Sequence, residues 1–430
     1  MRSKQARVLS LLALAFTWVC PAWSYDLLLK NAKLVDPDKR TIQSTSLLIR
    51  DGKITTSEIS DRPPEKTIDL EGKWVIPGLI DLHDHFSNNP LANGDDELFD
   101  VHETARVMLY CGVVAFLDLA NGHYDKLFDE RNRQRAVPDN FADESDIYCA
   151  GAAFGHWNLS SPSATPGKIA DYIKQWQPDV IKLIYGKGTL DRAKLAAAIG
   201  AANKAGVKTV VHIGSWQHAQ DAIESGATAV THFFDDEVIP WPVAKVWSKS
   251  KTVSIPTMAV QCDMANFVAH PSLLQSPLLQ EIETPKALAT FNDRASFCPK
   301  AKHTLEWQEE DLNNDMQSFR RLQKLKIPML AGSDSSNMGT FQGFSLHREL
   351  KIMQDAGYSP WEALAAGTTG ADRFLSRPSG IVAGDTAELV VLDANPIDDV
   401  GNTQKIFAIV HHGKLLDRKA LLTRVKERTN

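Results

Sequence analysis

The sequence predicts an α/β protein: a (β/α)8 TIM-type barrel carrying a small β-sandwich domain built from both chain ends. Three observations point there. Eight short apolar strand candidates lie between residues 80 and 332, amphipathic stretches separate most of them, and strand-turn-strand grammar is confined to the two ends.

Residues 1–24 read as a secretory signal peptide. Arg2, Lys4 and Arg7 precede the apolar run Val8–Val19, and Pro21-Ala22-Trp23-Ser24 offers small residues for cleavage. The run falls short of the ~20 apolar residues of a spanning helix, and Val19 is larger than the small residue expected before a lipidated Cys20. The mature chain is therefore expected to be exported, periplasmic or secreted, with no membrane partner. Loss of Arg2, Lys4 and Arg7 makes the formal charge of −6 more negative by three, which argues against nucleic acid as a partner. A small-molecule substrate is the expected partner, and an assembly of identical chains is left open. Apolar content of 43% with 23% charged residues supports a buried core over disorder.

Residues 25–75 contain Asp26-Leu27-Leu28-Leu29-Lys30, Leu47-Leu48-Ile49-Arg50 and an Asp51-Gly52 hairpin signal. So short a segment cannot bury a core alone. Residues 380–430 supply matching strands around Glu388-Leu389-Val390-Val391-Leu392 and Ile406-Phe407-Ala408-Ile409-Val410, so 25–75 and 380–430 are assigned to one sandwich. Residues 76–379 are assigned to the barrel, with strands expected at Ile80–His83, Val113–Leu119, Asp146–Ala152, Val180–Ile184, Thr209–His212, Ala229–His232, Thr252–Ile255 and Pro328–Gly332. Helices are expected at Glu103–Cys111, Pro166–Gln175, Asp191–Ala205 and Gln217–Ser225. The interval 256–327 is too long for one loop and helix, and is expected to form a lid-like insertion over the site. Of the four cysteines after residue 24, Cys111 and Cys149 sit in apolar contexts as core thiols. Cys262 and Cys298 share the insertion, and whether they pair is open.

The chemistry-bearing residues gather at the strand ends. His83 and His85, spaced by one residue, share a face of an extended strand and form a two-point clamp. Lys182 stands in the apolar strand Val180-Ile181-Lys182-Leu183-Ile184; burial lowers an amine's pKa, and the neutral amine can add carbon dioxide to become an anionic carbamate. His212 ends Val210-Val211-His212, His232 ends Val230-Thr231-His232, and Asp334 follows Gly332-Ser333. Each has a plainer reading, as a snorkelling lysine, satisfied core histidines or a capping aspartate. All six at the C-terminal face of one barrel favours a shared site.

With Pro77-Gly78-Leu79-Ile80-Asp81-Leu82-His83-Asp84-His85, Lys182, His212, His232 and Gly332-Ser333-Asp334 in hand, the chain resembles the amidohydrolase superfamily, in its binuclear branch with a carboxylated lysine and nearest the imidazolonepropionase-like and prolidase-like hydrolases. The resemblance covers nearly all of residues 25–430. It implies two divalent metal ions, zinc foremost, one held by His83, His85, Lys182 and Asp334 and the other by Lys182, His212 and His232, with Lys182 carboxylated. It further implies hydrolysis through a metal-bridging hydroxide, with the catalytic Asp334 as general acid and base. The expected substrate is a dipeptide or N-acyl amino acid, the alternatives being a cyclic amide, a lactone or a deaminase substrate. Expected substrate contacts are His123, His156, Tyr185 and Lys187, from loops above the barrel.

Overall fold

The computed structural model describes residues 26–56, 63–86, 100–292 save 187 and 235, and 301–427 save 336 and 338. The expected signal peptide, Lys187 and Cys298 lie outside the described residues.

Strands from both ends pair into one continuous ten-stranded sheet. Leu27–Asp36 runs antiparallel to Thr41–Arg50, which turns through Asp51 and Gly52 into Lys53–Thr55. Both turn residues have positive φ, 50° and 76°, as a two-residue hairpin matched to strand twist requires. The ends of the chain meet where Trp74–Pro77 pairs antiparallel with Leu389–Leu392 and Thr386 pairs with Lys53. Leu27, Leu29, Ile49, Val75, Leu389, Val391 and Val410 form a core of their own beneath this sheet.

The barrel follows. Leu79–Asp84, Val113–Asp118 and Asp146–Cys149 are parallel neighbours, as are Ala153–Phe154, Val180–Tyr185, Lys208–Ile213, Ala229–Thr231 and Val253–Ile255. The third strand, expected unbroken to Ala152, stops at Cys149 and resumes at Ala153. Gly151 between them has φ 73°, and a β-carbon there would meet the Tyr172 hydroxyl at 2.3 Å and the Phe128 ring at 2.5 Å. The eighth position is an extended segment rather than a full strand. It bridges Ser254 to Met329 and Asp84 to Ser335, and Leu330 N–H donates to Ser254 O (2.8 Å) while Leu82 N–H donates to Ala331 O (3.2 Å). Pro328 contributes no N–H and Asp334 leaves the extended region, so a regular ladder cannot persist. The first, fourth, fifth and sixth strands and this segment present the candidate site residues at one face.

The 256–327 interval is helical, with Met258–Ala269, Pro277–Ile282, Pro285–Asn292 and Ala301–Lys324. Most of it packs beside the barrel: Tyr110 Oη donates to Glu281 at 2.7 Å and Ser276 Oγ to Gln404 at 2.7 Å. Only Val260 and Gln261, in the first turn of Met258–Ala269, reach the cavity described below, so among the described residues the expected lid is largely a side wall. No described helix is long and apolar enough to cross a membrane.

Opposite the site, sheet and barrel are joined by an ion cluster. Arg377, buried, lies 2.8 Å from Asp146, 3.7 Å from Asp372 and 4.0 Å from Glu388; His411 Nδ1 contacts Glu388 at 2.6 Å, and His412 Nε2 contacts Asp146 at 3.0 Å. Burial alone would depress His412, but the hydrogen bond and charge of Asp146 and the charge of Glu388 outweigh it and raise the imidazole to about 9. Since this folded-state value lies above the unfolded one, the stabilisation from protonated His412 is complete below the unfolded pKa and fades as pH climbs toward 9. Chemical denaturation is expected to show stability declining from pH 7 to 9, with His412→Asn flattening that decline. Arg377→Met strands three carboxylates and is expected to cost about 3–5 kcal/mol in urea unfolding; a loss under 1 kcal/mol would show that the cluster does not hold the two parts together.

Candidate metal centre

Side chains at a barrel strand's end converge because alternate residues point inward and every parallel strand ends on the same rim. Here His83 Nε2 lies 3.3 Å from Lys182 Nζ and 3.2 Å from Asp334 Oδ1, and His85 Nε2 lies 2.9 Å from the same oxygen. The His232 ring centroid is 4.9 Å from that of His83 and 4.5 Å from that of His212. All six residues expected from sequence thus line one cavity of about 690 Å³, together with Ala120, Ile184, Ile213, Phe233, Phe234, Val260, Gln261 and Asn337.

Three imidazoles have their tautomers set from behind. Thr231 Oγ1 donates to Ile255 O (3.2 Å), so at 2.7 Å from His83 Nδ1 it can only accept that ring's proton. Thr257 does the same for His232, donating to Pro256 O (2.7 Å) and accepting from Nδ1 (2.7 Å). His85 Nδ1 donates to Ala120 O at 3.0 Å. With the proton on Nδ1, each ring turns its Nε2 toward the cavity, the arrangement a metal-binding histidine needs. Neither threonine was singled out from sequence, although Thr231 adjoins His232 and Thr257 follows the end of the strand Val253–Ile255.

The consequence is a contact between acceptors. Asp334 Oδ1 is buried, and two imidazole nitrogens stand within 3.2 Å of it. Lone pairs facing lone pairs at that range repel unless a cation lies between them. Burial tends to lower His85, but Asp334 beside it raises its pKa, so without a cation a proton is drawn to this point instead. Burial lowers His83 and His232 well below the usual imidazole range and His212 to about 4, with Lys182 adding to each. These rings stay neutral donors of electron pairs. Burial also brings Lys182 down to about 8 against the pull of Asp334 and Asp118, which keeps an unprotonated amine within reach near neutrality. Imidazole nitrogens, a carboxylate and a reactive amine fit divalent cations such as zinc.

The backbone is bent to serve this geometry. His232, Thr257 and Asp334 have φ of 68°, 52° and 56°, a region costly for residues with a β-carbon and concentrated at functional sites. Asp81 helps hold the arrangement, accepting from His83 N–H (3.0 Å), Ser333 N–H (2.9 Å) and Ser333 Oγ (2.5 Å), and so ties the first strand to the segment carrying Asp334. Burial keeps its carboxyl at about 6. Gly332 is required beside it, because a β-carbon there would stand 2.7 Å from Ile255 and 2.8 Å from His83.

The expected substrate contacts fare differently. Tyr185 Oη donates to Asp221 at 2.8 Å on the outer side of the strand, away from the cavity. His123 sits at the start of helix Tyr124–Ala136 and His156 lies exposed against Trp157; neither lines the cavity.

Known proteins share this architecture. An adenine deaminase of Desulfatibacillum aliphaticivorans is 32% identical over 108 residues, 23% of this chain and 19% of the deaminase. A D-hydantoinase of Ralstonia pickettii is 35% identical over 102 residues, 23% of this chain and 21% of the hydantoinase. The match thus spans about a fifth of the length of these curated relatives. Among solved structures, a Xaa-Pro dipeptidase with methionine bound in its active site superposes with a TM-score of 0.70 at 18% identity, covering 91% of this chain and 100% of its own. A putative prolidase from Bifidobacterium longum gives 0.68 at 19%, covering 93% and 99%. At those identities the likeness is one of fold. The model of the amidohydrolase family, however, matches residues 74–416, which includes all six converging side chains, and the chain belongs to that family.

Proposed function

We propose that this chain is a metal-dependent hydrolase of an amide-type C–N bond, working outside the cytoplasm as its N-terminal segment suggests. The observation carrying the reading is the convergence on one cavity of His83, His85, Lys182, His212, His232 and Asp334, with the buried Asp334 oxygen within 3.2 Å of two imidazole nitrogens. His83, His85, Lys182 and Asp334 would hold one divalent ion, and Lys182, His212 and His232 a second, with Lys182 carboxylated to reach both. Zinc suits these donors. Two such ions, when bound, make water a nucleophile at neutral pH and polarise a scissile carbonyl.

The chain's own residues supply the rest. Asp334 takes the proton of the attacking water at a carboxylate oxygen and delivers it to the departing nitrogen, which would otherwise be a poor leaving group. Thr231, Thr257 and Ala120 hold the rings in one tautomer, so no reorganisation precedes reaction. Phe233, Phe234, Ile184 and Ile213 exclude bulk water around them. The finer expectation, a dipeptide or N-acyl amino acid, asks for a fixed cation to meet the substrate's carboxylate. In the described wall that role has no holder beyond Lys182, itself in the candidate ligand set.

Metal analysis with turnover on amides, dipeptides and lactones tests the reading. About two metal equivalents with amide cleavage are expected; lactone cleavage alone would refute the C–N assignment. Lys182→Ala is expected to lose the second metal and nearly all turnover, with partial rescue by a small carboxylic acid, and full metal content in that variant would remove the bridging role. Thr231→Val, which deletes the acceptor behind His83 together with the hydrogen bond to Ile255 O, is expected to weaken metal affinity about 10–100-fold in chelator competition while leaving the fold's circular dichroism unchanged.

A further inference from the structure

We infer that the substrate is an uncharged, largely apolar amide, oriented by a hydrogen bond to the side chain of Gln261. This rests on the C–N reading above and adds to it the chemical class that the cavity selects. Around the candidate ligands the described wall consists of Ala120, Ile184, Ile213, Phe233, Phe234 and Val260, interrupted by two side-chain amides. Asn337 is already engaged, donating from Nδ2 to Asp334 O at 2.9 Å. Gln261 has no partner in the chain among the described residues, so its one carbonyl and one NH2 are available to a ligand.

The position of Gln261 is built rather than incidental. It occupies the first turn of helix Met258–Ala269, whose N-cap residue Thr257 gives the helix no side-chain cap because its hydroxyl serves His232 and Pro256. The missing acceptor comes from another helix: Glu349, fully buried in Phe344–Ala356, accepts from Ala259 N–H at 2.7 Å. The adjacent Arg348 grips Asp263 on the same helix with two hydrogen bonds, Nη2 to Oδ1 at 2.9 Å and Nε to Oδ2 at 3.2 Å. A side chain carried on an element clamped at two successive points is placed with the precision that recognition needs.

A neutral amide offers the donor and acceptor that Gln261 answers, and its apolar remainder gains from the aromatic and aliphatic wall. A carboxylate in the same place would lie against apolar carbon facing an uncharged amide, and burying an unpaired charge is far more costly than burying a polar group. The described wall therefore discriminates against the acid as well as for the amide.

A matched pair tests this: N-phenylacetyl-3-methylbutylamine and N-phenylacetyl-L-leucine, which share one cleavable amide and differ by a carboxylate. Turnover is followed in the zinc-loaded full chain, and binding is measured in the same protein, as competitive inhibition between the two compounds or, where no cleavage occurs, by calorimetry. The neutral compound is expected to bind and turn over at least tenfold better. Gln261→Leu should lower kcat/KM for it about tenfold, as loss of one good hydrogen bond implies, and Gln261→Arg should reverse the preference, both with zinc content unchanged. Equal or better binding of the acid, or an unaltered preference in Gln261→Leu and Gln261→Arg alike, overturns the inference while leaving amide hydrolysis intact. Selective binding of the neutral compound with no cleavage would instead overturn the hydrolytic reading and leave the wall's selectivity standing.

Discussion

The site depends on a contact that a bare polypeptide should avoid: electron pairs of two imidazoles directed at a buried carboxylate oxygen. Folding tolerates it because none of the three groups is free to turn away. Each ring is pinned by its far nitrogen, and Asp334 is fixed by its N–H donating to His83 O at 2.7 Å in a backbone already turned to positive φ. Positive charge at this point, whether a proton on His85 or a divalent cation, turns the opposition into attraction, so proton and cation compete for the same place.

That pinning explains features of the fold that otherwise look arbitrary. The eighth barrel position gives up a regular ladder so that Ser333 can reach Asp81 and Asp334 can swing toward the first strand. Gly332 sits where the two backbones come too close for any side chain. Neutral imidazoles and a partly deprotonated Lys182 follow from depth alone: burial is the leading cause of the depressed values of His83, His212, His232 and Lys182, and charge among neighbours adds to or opposes it.

Much of this was legible in the sequence, for a physical reason. Barrel strands are short apolar runs, and a polar residue at the end of one stands out against them, so His83, His85, Lys182, His212, His232 and Asp334 could be picked from five separated segments. The substrate contacts were not legible in the same way. With Lys182 facing inward, alternation places Ile184 inward too and turns Tyr185 to the outer face, where its hydroxyl meets Asp221; that signal was present, and expecting the strand to end at Ile184 obscured it. Gln261 gave no such signal. Its role follows from which helix end is left uncapped and which distant helix caps it, facts of three-dimensional packing that no local pattern encodes.

The helix Met258–Ala269 therefore connects two tasks usually thought of separately. Its N-cap residue Thr257 hydrogen-bonds His232 and its first turn carries Gln261, so the element that bears the proposed substrate contact also touches a candidate metal ligand. Glu349 and Arg348 restrain that element from outside the cavity. Any shift of this helix must move candidate ligand and recognition amide together, which couples the geometry of bond cleavage to the fit of the substrate without requiring a lid. Selectivity in such a site is expressed in the chemical step as much as in binding, because the same few ångströms of backbone decide both.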